Sequence, residues 1–595
     1  MPLIAYKKLV QYGAMLRRLL ILFLFAFLLF GCSMGNDDPP EVDATEVDTA
    51  VSANINTPPQ PPPVSTDTPA PTDPPTPLPT LTPSPVPPDL SIITENVHIY
   101  PVPALYAGDQ ATFQILAHVP DNIKPEDVTV HILVDYQDID EGTLSRTNLA
   151  GDAVGLFEWS WDTTDQFGEH LVHIILDRHD LLQAGDENRD NNQVAVTVTV
   201  YDPLQLAPNE RNATWVTAET ACCLVHVVSG TAAYRDLSDL LTEIETAVSQ
   251  SVDALDVEIE EKLDIYLIDR VIGQGGYAGN DIVISYSDRQ YASQGFYEVT
   301  AHEATHVLDR QFAPDRITFL AEGLAVWSSG GHYKPENINE RAAALVTIGE
   351  YIPLATLIDN FYPVQHEIGY LEAAGFVNYL VQTYGWPTFR YFYADVKAED
   401  SSPLSAVVDR KMQQYFGVTL AQAERDWLDL MTTQTVPDTA VIDLQTSIRY
   451  YNTMRRYQQL HDPTAYFLTA WLPYPKDLQE VGNPADLSRH PEDEINIILE
   501  TMLISADKAL RIGDYHRANV LLDSITRTLD NNGVFVDPIG INYQNVVRTT
   551  TREGYEVQQI TLDGDRALVQ ATKPNSQTLT TLDFKLNGQD WVLLN

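Results

Sequence analysis

A chain of 595 residues carrying 83 acidic against 36 basic side chains, net charge -47, is too long for one ordinary domain; at about 100–200 residues per domain it holds three or four. That charge excludes nucleic acid as a partner and excludes non-specific attraction to anionic lipid. Three cysteines are too few for a disulfide framework, so stability must rest on packed cores.

At the N-terminus Lys7, Lys8, Arg17 and Arg18 precede the apolar run "LLILFLFAFLLFG". The run is short for a membrane span and has the basic start of a secretory signal, assigned to residues 1–32. Its end, "LLFGC", resembles the bacterial lipobox, which implies that Cys32 is lipid-modified and becomes the first residue of the mature chain. An uncleaved anchor is the alternative, and both readings place the rest of the chain outside the cytoplasm. Residues 33–89, with "NTPPQPPPVSTDTPAPTDPPTPLPTLTPSPVPP", have too few apolar side chains to offset ordering entropy, and their prolines hold the chain extended. They predict a disordered, semi-rigid stalk.

Residues 90–203 predict a β-sandwich, because short runs such as "QATFQILAHV", "VTVHILVDY" and "HLVHIILD" are separated by Gly, Asp, Asn and Pro. In "NQVAVTVTV" Val194, Val196, Val198 and Val200 alternate with Ala195, Thr197 and Thr199, the period of a strand with one buried face. The preceding "GDENRDNNQ" and this strand resemble the last loop and strand of CARDB-type immunoglobulin-like domains. On a stalk, such a module implies a surface or wall ligand. Asp186, Glu187, Asp190 and Asn191 offer oxygens, yet no spacing fixes a coordination shell, so a solvated turn is the reading adopted over a calcium site.

From 213 to 436 the pattern becomes α+β and mainly helical. After the strand "CLVHVVSG", Leu237, Leu240, Leu241, Ile244 and Val248 recur at helical spacing. "KLDIYLID" and "DIVISYSD" read as strands bracketing the glycine-rich "VIGQGGYAGN". Cys222 and Cys223, placed in a strand, would point to opposite faces, so two buried thiols are expected rather than a strained vicinal disulfide. Residues 440–595 begin with helices and end in three strand-like runs, predicting a small α+β domain. It resembles the nuclear-transport-factor-like cone fold, and no residue in it is singled out for chemistry.

The chemistry concentrates in "EVTAHEATHVLDRQF". Positions four apart share one face of a helix with side-chain origins about 6 Å apart, so His302 and His306 can hold one metal ion. Glu303 sits about 100 degrees round, placed to act as a base on water rather than as a ligand. A catalytic zinc needs a third protein ligand, and "DRITFLAEGLAVWSS" supplies Glu322. That helix is apolar almost all round, so a carboxylate on it needs a partner. Asp315 is the expected N-cap, and Gly323 and Ala325 are expected to let the helix pack closely on the first.

These two segments, with "VIGQGGYAGNDIVISY" upstream and "GYLEAAGFVNYLVQTYG" downstream, resemble the gluzincin metallopeptidases, specifically the peptidase MA-like group of bacterial proteins. The resemblance implies Zn2+ on His302, His306 and Glu322, Glu303 as base and proton shuttle, and a peptide or protein substrate. In the thermolysin branch an aspartate four residues beyond the ligand glutamate orients a zinc histidine, but here that position is Val326. Asp309, on the face of His302 and His306, is the candidate to replace it, against the alternative of a surface aspartate at a helix end. Tyr370 is the candidate donor to the oxyanion, with His332 and His366 as rivals. The expectation is a lipid-anchored, extracytoplasmic zinc metallopeptidase. A surface adhesion lipoprotein that keeps the zincin scaffold without catalysis is the alternative from another class, and zinc hydrolysis of another bond is the third.

Overall fold

The structure, a computed structural model, describes residues 88–149, 152–292, 295–332, 334–364, 366–399 and 402–594. The signal, Cys32 and nearly all of the stalk lie outside them. Among the described residues no helix is long and apolar enough to cross a membrane.

Two β-sheets face each other over residues 97–201. One has the order Val97–Tyr100, Gln110–Ala117, Asp152–Asp162, Ser145–Leu149; the other runs Leu105–Tyr106, Gln193–Tyr201, Gly168–Leu176, Thr129–Val134, Gln137–Thr143. Their shared core holds Phe113, Ile115, Val130, Ile132, Trp159, Val172 and Ile174. In Gln193–Tyr201, Val198 and Val200 reach that core and Val194 and Val196 pack partly against it, as the alternation requires.

A third sheet has the order Trp215–Glu219, Cys223–Val228, Leu263–Ile268, Ile282–Ser285, Gly276–Ala278. The three central strands are parallel and the two outer ones antiparallel to their neighbours. Helix Leu237–Leu255 makes the crossover between the first two parallel strands and buries Leu240, Ile244, Ala247, Val248, Ser251 and Leu255. Strand alternation covers both faces. Ile265 and Leu267 meet the helices, whereas Tyr266 and Ile268 meet Leu478 and Leu487 of a later segment. That same segment fastens the sandwich: Trp471 and Asp486 carbonyls accept from Thr112 and Tyr100, and Arg489 Nη2 lies 3.0 Å from Asp109 Oδ1.

The edge strand Gly276–Ala278 falls inside the glycine-rich stretch between the two strands read from the sequence. A Cβ on Gly276 would stand 2.9 Å from the Val283 carbonyl oxygen and 3.1 Å from Val299, so only glycine lets this strand lie so close to the helix Phe296–Leu308. Cys222 and Cys223 are joined by a disulfide, which corrects the two-thiol expectation. The strand begins at Cys223 and Cys222 lies in the bend before it, so strand alternation does not separate the two side chains.

After the sheet the chain is helical up to Arg552, and a four-stranded antiparallel meander from Glu556 to Leu594 closes it. The meander packs on helices Glu494–Arg511, Tyr515–Asp530 and Pro538–Arg552. Helix Asp438–His461 joins this core through Tyr450, Met454 and Tyr457 and joins the preceding helices through Leu444. It therefore ties the C-terminal region to the helices that carry the site.

Candidate metal centre

Helix Phe296–Leu308 is buried on nearly every side, with Glu298 through Thr305 and Leu308 all in the interior. Small residues make this burial achievable: Ala301 and Ala304 are fully covered, and the Ala301 carbonyl accepts from Ser251 Oγ at 2.8 Å. Thr305 Oγ1 lies 2.9 Å from Ser328 Oγ, tying this helix to Thr318–Ser329. The second helix also packs closely on a third, His366–Tyr384. A Cβ on Gly323 would stand 2.7 Å from the Ala373 carbonyl oxygen, so Gly323 serves this contact and not the one with the first helix. Asp315 does not cap: the N-cap is Ile317, and Asp315 pairs at 2.8 Å with Lys397, because the chain needs two further residues after the turn before helical backbone begins.

The two helices bring His302, His306 and Glu322 to one point. His302 Nε2 is 3.1 Å from His306 Nε2, and each lies 3.2 Å from Glu322 Oε2. The three are the one group of His, Cys, Asp or Glu among the described residues whose atoms converge as metal ligands. Ligands about 2.0–2.1 Å from a tetrahedral zinc stand about 3.3–3.4 Å apart, so this triangle fits zinc with almost no adjustment.

Electrostatics follow the same division. Burial works to raise Glu322, but the His306 and His302 charges and hydrogen bonds outweigh it and hold the carboxyl well below its usual range. His306 is pulled down to about 4, chiefly by burial. Burial pulls His302 down as well, but its hydrogen bond to Glu322 and the charges of Glu303 and Glu322 leave it above its ordinary value. Glu303, only 7% exposed, is pushed up to about 7 by burial, with His302 opposing the shift. A carboxyl near neutrality can both take and return a proton at physiological pH.

Around this centre the candidates separate. Tyr370 lies one turn into helix His366–Tyr384, and its ring centroid is 6.1 Å from that of His302. Burial raises its phenol well above the ordinary value, so it remains a donor. His332 and His366 flank Tyr370, with ring centroids 4.9 and 4.0 Å away. Their own Nε2 atoms meet at 3.0 Å, and His332 Nδ1 lies 2.5 Å from Glu367 Oε2. Tyr362, which sequence reasoning missed, stands nearer the ligand set, its hydroxyl 3.4 Å from Glu322 Oε1. Nothing in its loop distinguishes it from the other tyrosines, 29 in all.

Asp309 is fully buried, not a surface residue, yet it does not touch either histidine ring. Its Oδ2 accepts from the Tyr393 hydroxyl at 2.5 Å and pairs with Arg316 Nε at 2.9 Å. Arg316 Nη2 in turn donates to the His306 carbonyl at 2.8 Å. Asp309 begins a tight turn immediately after the helix, which carries its carboxylate away from the histidine face and toward the helix end. Its influence on His306 therefore passes through Arg316 and the backbone.

No family model matches the sequence, and no curated protein matches it. Solved structures resemble it in part. The M1 zinc metallopeptidase from Deinococcus radiodurans is 14% identical, with 59% of this chain and 95% of that one covered at a TM-score of 0.26. Yeast LTA4 hydrolase in complex with Bestatin is 12% identical, covering 77% and 95% at a TM-score of 0.30. The CARDB domain of a Pyrococcus furiosus protein in complex with di-metal ions is 17% identical, covering 20% and 96% at a TM-score of 0.16. At these scores the likeness carries no argument, and function is read from the site itself.

Proposed function

We propose that this chain is a zinc-dependent metallopeptidase whose centre is His302, His306 and Glu322. The observation that carries the reading is the convergence of three buried ligand atoms at 3.1–3.2 Å from two helices, with the carboxyl of Glu303 on the adjoining face. Zinc held by His302, His306 and Glu322 would supply Lewis acidity toward a substrate carbonyl and toward water. Glu303 takes the proton from the attacking water on its carboxylate and passes it to the leaving amine, the two transfers that a group poised near neutrality serves best. Tyr362 or Tyr370 donates its phenolic proton in a hydrogen bond to the developing oxyanion. A purely structural metal site has no use for Glu303.

We further propose that the protein acts outside the cytoplasm, held to the membrane by lipid on Cys32. The basic start, the apolar run and "LLFGC" support that placement. Cys32→Ser should abolish labelling by a fatty-acid probe; unchanged labelling would remove the anchor from the account.

Glu303→Gln keeps size and most hydrogen bonding and removes the base. Zinc content and melting temperature should stay near wild type, while hydrolysis across a broad peptide library falls by at least about 1,000-fold. A wild-type protein that binds zinc but cleaves nothing in that library would favour the adhesion scaffold instead.

A further inference from the structure

Several buried arginines among the described residues hold carboxylates. Arg270 pairs with Asp462 at 2.6 Å, Arg289 with Glu500 at 2.5 Å, Arg316 with Asp309 at 2.9 Å, and Arg341 with Glu367 at 2.7 Å. Arg455, on helix Asp438–His461, breaks the pattern. Its Nε and Nη2 atoms are buried without a hydrogen-bond partner. Its guanidinium lies over the Phe467 ring, 4.0 Å from the centroid. The titratable groups whose charge acts on it are the phenols of Tyr466, Tyr370 and Tyr451, which are neutral at pH 7. Burying a guanidinium without a counter-charge is costly, and such groups persist where an anion arrives to pair them.

Its position says which anion. Tyr451, one turn before Arg455 on the same helix, has its ring 5.7 Å from those of both His332 and His366, which flank Tyr370, and Tyr370 stands with its ring 6.1 Å from that of His302. Arg455 thus belongs to the surroundings of the candidate centre although it comes from a distant part of the chain. The residue as a whole is half-buried. In a protein of net charge -47 an anionic ligand is retained only where a local cation outweighs the surrounding field. A guanidinium fork matches a carboxylate in two parallel hydrogen bonds.

We propose that Arg455 recognises a carboxylate of the substrate close to the scissile bond. The enzyme would then act on short peptides near a free C-terminus, or on peptides with an Asp or Glu side chain beside the cut. The inference rests on the peptidase reading of the same site, and binding tests it separately from catalysis.

The test uses the full, zinc-loaded chain carrying Glu303→Gln, so that nothing is turned over, and three matched tetrapeptide libraries. One has free C-terminal carboxylates, the second has C-terminal carboxamides, and the third keeps the carboxamide but places a Glu that can be exchanged for Gln. Calorimetry or equilibrium dialysis should show one acidic form binding about tenfold or more tightly than its neutral match. The first comparison reports an α-carboxylate and the third a side-chain carboxylate. Adding Arg455→Gln should close the gap, and Arg455→Lys should restore it in part. Equal affinity of acidic and neutral forms, binding of neither, or a gap that survives Arg455→Gln would each overturn the proposal, whether or not the wild type hydrolyses peptides. Because the acid and neutral comparison needs no substitution at Arg455, a variant that fails to fold leaves the test intact.

Discussion

Two buried polar clusters flank helix Thr318–Ser329 and differ in one respect. Around Arg341, each charge has its partner: Glu336 at 2.7 Å, Glu367 at 2.7 Å and Asp443 at 2.5 Å, with His332 on the other oxygen of Glu367 at 2.5 Å. Around His302 potential metal ligands converge on one another instead, two ring nitrogens and a carboxylate oxygen within 3.2 Å, and a second carboxyl, Glu303, lies on the adjoining face. The first cluster carries its own cations, Arg341 and also Lys334 at 2.5 Å from Asp443, and holds helices together. The second wants a cation, and that difference, more than burial or charge count, separates architecture from a site.

The strongest way to break this comparison is Glu303→Gln, whose expected loss of at least about 1,000-fold in hydrolysis should come without loss of fold. A matching change in the other cluster should do the reverse. Arg341→Met leaves Glu336, Glu367 and Asp443 without their shared cation and should cost about 3–5 kcal/mol of stability, read from urea midpoints. Zinc stoichiometry below the melting temperature should be unchanged; loss of zinc in that variant would join the two clusters into one.

Chelation sharpens the contrast further. A ligand present at about 100 times its Kd stabilises a fold by about 2.7 kcal/mol, so removing zinc should lower the melting temperature by several degrees in wild type and equally in Arg341→Met. His302→Ala and Glu322→Ala should show no response to chelator. A wild-type melting curve indifferent to chelator would contradict the fit of the triangle to a metal.

A third contrast, read only as a pH slope, concerns a carboxyl with neither cation nor metal beside it. Glu372 is fully buried; it accepts one backbone hydrogen bond, from Ile352 at 3.0 Å, and is pushed from its ordinary 4.5 up to about 9, chiefly by burial. The folded state keeps this proton while the unfolded chain releases it, so its contribution is full below about pH 4.5 and is lost as pH rises toward about 9. The slope is at most about 1.4 kcal/mol per pH unit. Glu372→Gln should flatten that decline in urea midpoints taken at pH 5, 7 and 9; an unchanged slope would mean that Glu372 ionises in the fold.

What could be read from the sequence was what local geometry determines. The four-residue spacing of His302 and His306 fixes their common face wherever a helix forms, and Glu322 stood out because its helix has no polar face to hide it. The alternation in Gln193–Tyr201 is equally local. Beyond that reach lie Tyr362, carried by a loop, and Arg455, on a helix that also belongs to the C-terminal core and whose Tyr451 meets His332 and His366. Asp309 shows the intermediate case. Helical extrapolation put it on the histidine face, but the helix ends at Leu308 and the turn that follows points its carboxylate toward Arg316. Cys222 and Gly276 fall in the same class, since one residue outside a strand, or one strand inside a glycine-rich stretch, reverses which groups meet.

The central claim is that the convergent triangle holds zinc, and metal analysis of the purified full chain after growth or refolding with zinc tests it most directly. The account predicts about one zinc per chain in wild type and in Glu303→Gln, and none held tightly in His302→Ala or Glu322→Ala. No zinc in the supplemented wild type, or the same zinc in all four proteins, would contradict it.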